Sequence, residues 1–152
     1  MEEIYVNREI RNTLIDLAVK NKTVTYARLN TSSDSGYDFR DPDERDSFAE
    51  DIEAISMSEV KNGRPPIGCV VVYKSGSVSK PILESLYNMC KELYDLSPET
   101  TKPNSKFFKD LQAKCHAFWS VRENYRAFGP KKWWKEYKTF KNEFSLGFLK
   151  RK

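Results

Sequence analysis

The longest apolar run in this chain is Ile67-Gly68-Cys69-Val70-Val71-Val72-Tyr73, which follows the turn Gly63-Arg64-Pro65-Pro66 and stops at Ser75-Gly76. It shows no alternation of apolar and polar residues, so it reads as a strand covered on both faces. A second short β-branched stretch, Lys22-Thr23-Val24-Thr25-Tyr26, reads as a strand or the lead into a turn, and Ser77–Lys80 has room to return a third strand. Two or three strands are too few for a doubly wound sheet. The remainder of the chain must therefore be built from helices, and a predominantly helical α+β fold is the expectation.

Helical spacing and capping residues place those helices. Asn7 stands as N-cap before a stretch to residue 20 that puts Ile10, Leu14, Leu17 and Ala18 on one face. Thr25 can cap a short helix beginning at Tyr26. Asp41-Pro42-Asp43-Glu44 is a strong helix start, with the cap, the proline at the first position and acids in the first turn. Phe48, Ile52 and Ile55 form its apolar stripe, and Gly63 follows its end. A further helix starts at Pro81 with Ile82, Leu86, Met89 and Leu93 at helical spacing. After the proline-containing connection 97–103, one long helix through residue 128 carries Phe108, Leu111, Cys115, Phe118 and Tyr125. Gly129-Pro130 breaks it, and a last helix from 130 to 144 aligns Trp133, Tyr137, Phe140 and Phe144.

Of the 152 residues, 39% are hydrophobic and 13% aromatic, enough for a packed core in one domain. The apolar run is too short to span a bilayer, and the charged start Met1-Glu2-Glu3 lacks the layout of a secretory signal. The expectation is a cytoplasmic protein away from membranes. Cys69, Cys90 and Cys115 form no CxxC pair, and His116 is the single histidine, so no metal or other cofactor is expected.

Charge divides the chain. Residues 102–152 hold 14 Lys or Arg against 4 Asp or Glu, and 12 of the 20 aromatic residues. Between Asp34 and Glu59 there are 10 acids and 2 arginines. Either the two regions face each other, or the basic one faces a polyanion. In the final helix Lys131, Lys135 and Lys138 lie opposite the aromatic stripe, while Lys132, Trp134 and Lys141 lie at its margins. Basic residues interleaved with aromatics suit a surface that tracks a phosphate backbone and stacks bases. Arg122, Arg126 and the terminal Lys150-Arg151-Lys152 add to the field. The alternative for the stripe itself is that its rings are core and its lysines are simply solvated.

Two patterns test for an enzyme. Thr25-Tyr26 opening a helix, with Pro66, Cys69 and Val70 ahead of a glycine turn, resembles the winged-helix domain of DNA alkyltransferases and alkyltransferase-like proteins over residues 8–80. That resemblance implies a winged-helix-like N-terminal part. It does not imply alkyl transfer, because Gly68 stands where the family has proline and Val70-Val71 replace the His-Arg that follows the reactive thiol. A thiol with no base or cation beside it stays protonated, so Cys69 is expected to pack as a small apolar residue. Gly63-Arg64-Pro65 together with Thr23–Tyr26 also resembles a pattern of uncharacterised bacterial and phage-type proteins, which brings no activity with it. Pro42-Asp43 followed by Glu59-Val60-Lys61 matches the PD…ExK pattern of metal-dependent nucleases, whose carboxylates must share a metal ion. Glu136-Tyr137-Lys138 repeats the second half within another helix. His116 beside Cys115 cannot form a dyad with it, since helical neighbours point about 100° apart.

The sequence thus describes one domain over 1–152, with an acidic winged-helix-like part, 1–96, and a basic helical part, 104–152, joined by 97–103. The expected function is non-enzymatic binding of nucleic acid through Lys131, Lys132, Lys135, Lys138, Lys141, Arg122, Arg126 and Trp134. The alternatives are a protein-interaction or inhibitor module using the acidic helix or the basic-aromatic end, head-to-tail self-association, and a nuclease through Asp43, Glu59 and Lys61.

Overall fold

The computed structural model describes residues 6–97, 99 and 101–130. Among them are helices α1 (Arg8–Val19), α2 (Tyr26–Ser32), α3 (Pro42–Lys61), α4 (Lys80–Leu93), α5 (Ser105–Trp119) and α6 (Arg122–Phe128). Two strands, β1 (Val24–Thr25) and β2 (Val71–Val72), pair in parallel with Val24 opposite Val71 and Thr25 opposite Val72. The protein is predominantly helical with a small sheet, as its pattern requires. The expected final helix, 130–144, falls almost wholly outside the described residues.

The caps explain why the helices start where they do. Asn7, Thr25, Asp41, Ser79 and Asn104 each accept a hydrogen bond from a first-turn backbone N–H, satisfying donors that a helix leaves unpaired. Pro42 and Pro81 occupy first-turn positions where the missing N–H costs nothing. After α3 the chain reverses at Gly63, whose φ of +77° is the left-handed conformation that closes a helix end.

Around Cys69 the structure departs from the expected strand. Ile67–Val70 forms a 3-10 turn, and only Val71 and Val72 extend. All six residues are buried, because α1, α3 and α5 all pack on the 3-10 turn. So enclosed, the turn finds its hydrogen-bond partners in side chains rather than in neighbouring strands. Gly68 N–H donates to Ser56 Oγ at 2.9 Å, and the Cys69 carbonyl accepts from Gln112 Nε2 at 2.9 Å. No strand returns at Ser77–Lys80. Tyr73 N–H donates to the Ser77 carbonyl across a tight turn, and Ser79 goes on to cap α4.

A second departure lies past the connection. The helix expected to run unbroken to residue 128 ends at Trp119, with Ser120 closing α5 and Val121 extended before α6. Side chains satisfy the carbonyls this frees: Asn124 Nδ2 donates to Phe118 and Ser120 Oγ to Ala117. The break lets Trp119 and Tyr125 both enter the core. That core is one cluster from Ile10 to Tyr125, and connection 97–103 does not split it. Tyr87 Oη fastens the connection by donating to the Thr101 carbonyl at 2.8 Å.

Candidate nucleic-acid interface

The basic half enters the described structure as α5 and α6. Phe107, Phe108, Leu111, Cys115 and Trp119 face inward along α5, which leaves Lys106, Lys109, Asp110 and Lys114 on the solvent side. Lys102 is exposed just before the cap. Lys114 Nζ lies 5.4 Å from the centroid of the Tyr94 ring, and Lys91 of α4 lies 5.6 Å from that of Tyr87. The surface therefore carries ammonium groups seated on aromatic faces, an arrangement worth about 0.5–1 kcal/mol per pair at exposed sites. Burial pushes the Tyr94 hydroxyl above its usual pKa, so the ring under Lys114 stays neutral.

Of the residues expected at a phosphate-contacting surface, Arg126 is exposed on α6 and Arg122 is half-buried at its start. Lys131, Lys132, Trp134, Lys135, Lys138 and Lys141 lie outside the described residues. Lys102, Lys106, Lys109 and Lys114 are not among the residues expected from the sequence, although the inward stripe of α5 puts Lys106 and Lys109 on its far side and Lys114 on its flank.

Among the described residues, the acidic helix makes no ion pair with this surface. Asp43, Asp46, Glu50 and Glu53 are exposed on α3 and make no ion pair among the described residues. Asp51 accepts from Tyr37 Oη at 2.6 Å, and Glu44 from the Asp38 N–H. The helix packs on the 3-10 turn, α1 and α4.

Glu59 is the exception on α3. It is fully buried and clasped by Arg64, Nε to Oε1 at 3.0 Å and Nη2 to Oε2 at 2.9 Å, and by Arg11 of α1 at 3.2 and 3.3 Å. Arg11 Nη2 also donates to the Phe128 carbonyl at 2.8 Å, and the Arg64 guanidinium lies over the Phe128 ring at 5.1 Å. This node ties α1, the end of α3 and the end of α6 together. It also removes Glu59 from any metal chemistry. Asp43 sits in the first turn of α3 and Glu59 in the last, about 24 Å along the axis at 1.5 Å per residue, so they cannot share an ion. The PD…ExK match is a coincidence of spelling, and no group of three or more metal-ligating side chains gathers among the described residues.

Cys69 is no nucleophile at a strand mouth. It is fully buried, with Sγ 4.0 Å from the Leu111 carbonyl. Although far apart in sequence, all three cysteines are buried and free, and Cys69 neighbours both others. Burial and the neighbouring Cys69 push the Cys90 thiol up to about 12, and the hydrogen bond to Cys69 with burial raises that of Cys115 well above its ordinary value. Cys90 and Cys115 are held as thiols, and all three cysteines are packed in the core. His116 Nδ1 lies 2.8 Å from the Ala18 carbonyl, so the ring bridges α5 to the end of α1, apart from Cys115 chemistry.

No family model, no curated protein and no solved structure matches this chain. No helix among the described residues is long and apolar enough to cross a membrane.

Proposed function

We propose that this is a small, non-enzymatic cytoplasmic protein that binds nucleic acid through the cationic face of its C-terminal half. Lys102, Lys106, Lys109 and Lys114 contribute to that face with Arg126 and the basic residues beyond 130. The supporting observation is that these lysines are exposed, that Lys106, Lys109 and Lys114 share α5 with Lys102 just ahead of its cap, and that none makes an ion pair with the acids of α3 or of any other described element. Lysines seated on tyrosine rings suit phosphate contact with local stacking.

The winged-helix reading of the N-terminal part belongs to the same proposal. It rests on Thr25 capping a helix that opens with Tyr26. A wing needs an antiparallel hairpin, whereas the Tyr73–Ser77 turn here leads into α4. The contact surface is therefore α5 and α6 rather than a wing.

Titration with a short fluorescent single- or double-stranded oligonucleotide tests it. The logarithm of the binding constant should fall linearly with the logarithm of salt, at a slope of about −0.7 to −0.9 per phosphate neutralised. Absence of binding at low salt, or a flat salt response, rejects the reading.

A second reading has its own observation: among the described residues, the exposed acids of α3 and the exposed lysines of α5 make no ion pairs. Such polarity favours head-to-tail self-association or capture of a charged partner protein.

A further inference from the structure

A cavity of about 460 Å³ opens between α2, α3, β2 and the start of α4, and no residue of α5 or α6 lines it. Its apolar wall is aromatic: Phe39 and Phe48 meet at 5.4 Å between centroids with their planes tilted by 45°, and Tyr26 and Tyr73 at 5.8 Å with a tilt of 41°. Tyr73 is 44% exposed, a large ring left half open to solvent, whereas Phe48 and Val72 of the same lining are buried. Arg45 and Lys74 complete the mouth. Both are exposed, and neither makes an ion pair among the described residues.

The charge layout is what identifies an occupant. None of the ten acids between Asp34 and Glu59 lines this cavity, although Arg45 sits within the run Asp43-Glu44-Arg45-Asp46. Beside the acidic segment 34–59 there is thus a hollow lined by two cations and no carboxylate. Charge complementarity selects an anion, and the ring wall selects a flat, unsaturated body of limited size; the volume falls within the usual range for small-ligand sites. A smaller cavity of about 160 Å³ shares Tyr26 and is lined by Glu53, which keeps an anionic group at the Arg45 and Lys74 end. Tyr26 adds a fixed donor. Burial, with Tyr73 nearby, pushes its hydroxyl up to about 12, so it remains protonated at neutral pH.

We infer that this cavity is a binding site for a nucleoside monophosphate, the base stacking on the Tyr26–Tyr73 wall and the phosphate held by Arg45 and Lys74. The site goes beyond the nucleic-acid surface of α5 and does not depend on it. A phosphate between two cations forms charge-assisted hydrogen bonds of the stronger kind, and an aromatic face accepts any of the four bases.

Calorimetric titration of the full chain with adenosine, guanosine, cytidine and uridine monophosphates, with adenosine as the uncharged control, tests the assignment. Adenosine monophosphate should bind roughly tenfold or more tightly than adenosine. Arg45→Gln and Lys74→Gln should each weaken the nucleotide several-fold and leave adenosine unchanged. Tyr73→Ala should weaken both, and Tyr73→Phe should restore them, while Lys106→Gln with Lys109→Gln should change neither. All these positions are exposed, so circular dichroism should report an unaltered fold. Lack of saturable binding by all four nucleotides, or nucleotide affinity indifferent to Arg45 and Lys74, overturns the inference whatever the oligonucleotide experiment shows.

Discussion

Arg64 grips Glu59 along both carboxylate oxygens, at 3.0 and 2.9 Å, five residues further along the chain and around the Gly63 turn. The pair is enclosed, the glutamate completely and the arginine side chain to 13% exposure, and Arg11 shares the same two oxygens. A buried carboxylate is tolerated only when its lone pairs are filled, and here four charge-assisted bonds fill them. Removing one member leaves buried charge without compensation.

Glu59→Ala should accordingly lower unfolding free energy by about 3–5 kcal/mol. Arg64→Lys should lower it as well but by less, since an ammonium keeps the charge and cannot reproduce the two parallel bonds. The exposed pair Arg40–Asp38 provides the contrast, and Arg40→Ala should leave the denaturation midpoint unchanged. Equal midpoints for Glu59→Ala and the parent protein would show that the node contributes nothing.

The difference between those two pairs also marks what the sequence discloses. Helix starts were legible because a cap is a local event: Asn7, Thr25 and Asp41 need only their own first turns. Apolar stripes were legible where one face meets the core, as with Phe48, Ile52 and Ile55. The partners of Glu59 were not, because the Arg11 guanidinium arrives from α1, and only the folded chain brings it there. The same holds for the run at Cys69. An apolar segment covered on every side reads the same whether it is a strand or a 3-10 turn, and Ser56 and Gln112, distant in sequence, decide between them. The α5–α6 break was hidden because Tyr125 keeps helical register with Leu111 even though Val121 is extended. Of the surface residues expected to contact phosphate, only Arg122 and Arg126 are described; the face of α5 was readable from its inward stripe.

Gly68 lies so close to α3 that a Cβ there would stand 2.5 Å from Ser56 Oγ and 3.0 Å from Ile52 Cγ2. Gly68→Ala should therefore destabilise by about 1–3 kcal/mol, the usual cost of forcing a methyl group into a filled interior. Ser56→Ala removes the atom that clashes but also the acceptor of the Gly68 N–H. The double variant should be less damaged than the two single costs added together, a coupling that a double-mutant cycle in guanidinium would read directly. Strict additivity would place the two residues out of contact.

Stability should fall on the alkaline side. The folded protein keeps the Cys90 proton up to about 12, whereas the released chain gives it up near its ordinary 9.0. Tyr26 behaves alike, from 10.0 to about 12. Between those values the native state binds more protons, so unfolding free energy is intact below about pH 9 and declines as pH rises toward 12. Denaturant midpoints from pH 7 to 11 should show that decline, and Cys90→Ala should flatten the stretch above pH 9. A profile level through pH 11 would mean the thiol is not shielded as the structure has it.

The two charged faces make opposite demands, which allows them to be separated. If α5 serves nucleic acid, Lys106→Glu with Lys109→Glu should lower oligonucleotide affinity at least tenfold and reduce the salt slope, because each lysine removed gives up about one phosphate. Reversing acids on α3, with Glu50→Lys and Glu53→Lys, should leave affinity unchanged or raise it through the added field. If instead α3 of one molecule docks on α5 of the next, either reversal alone should abolish a salt-sensitive increase in sedimenting mass, and the combined variant should restore it, since the attraction then runs the other way. Oligonucleotide affinity that survives reversal of both α5 lysines would remove that helix from the binding surface.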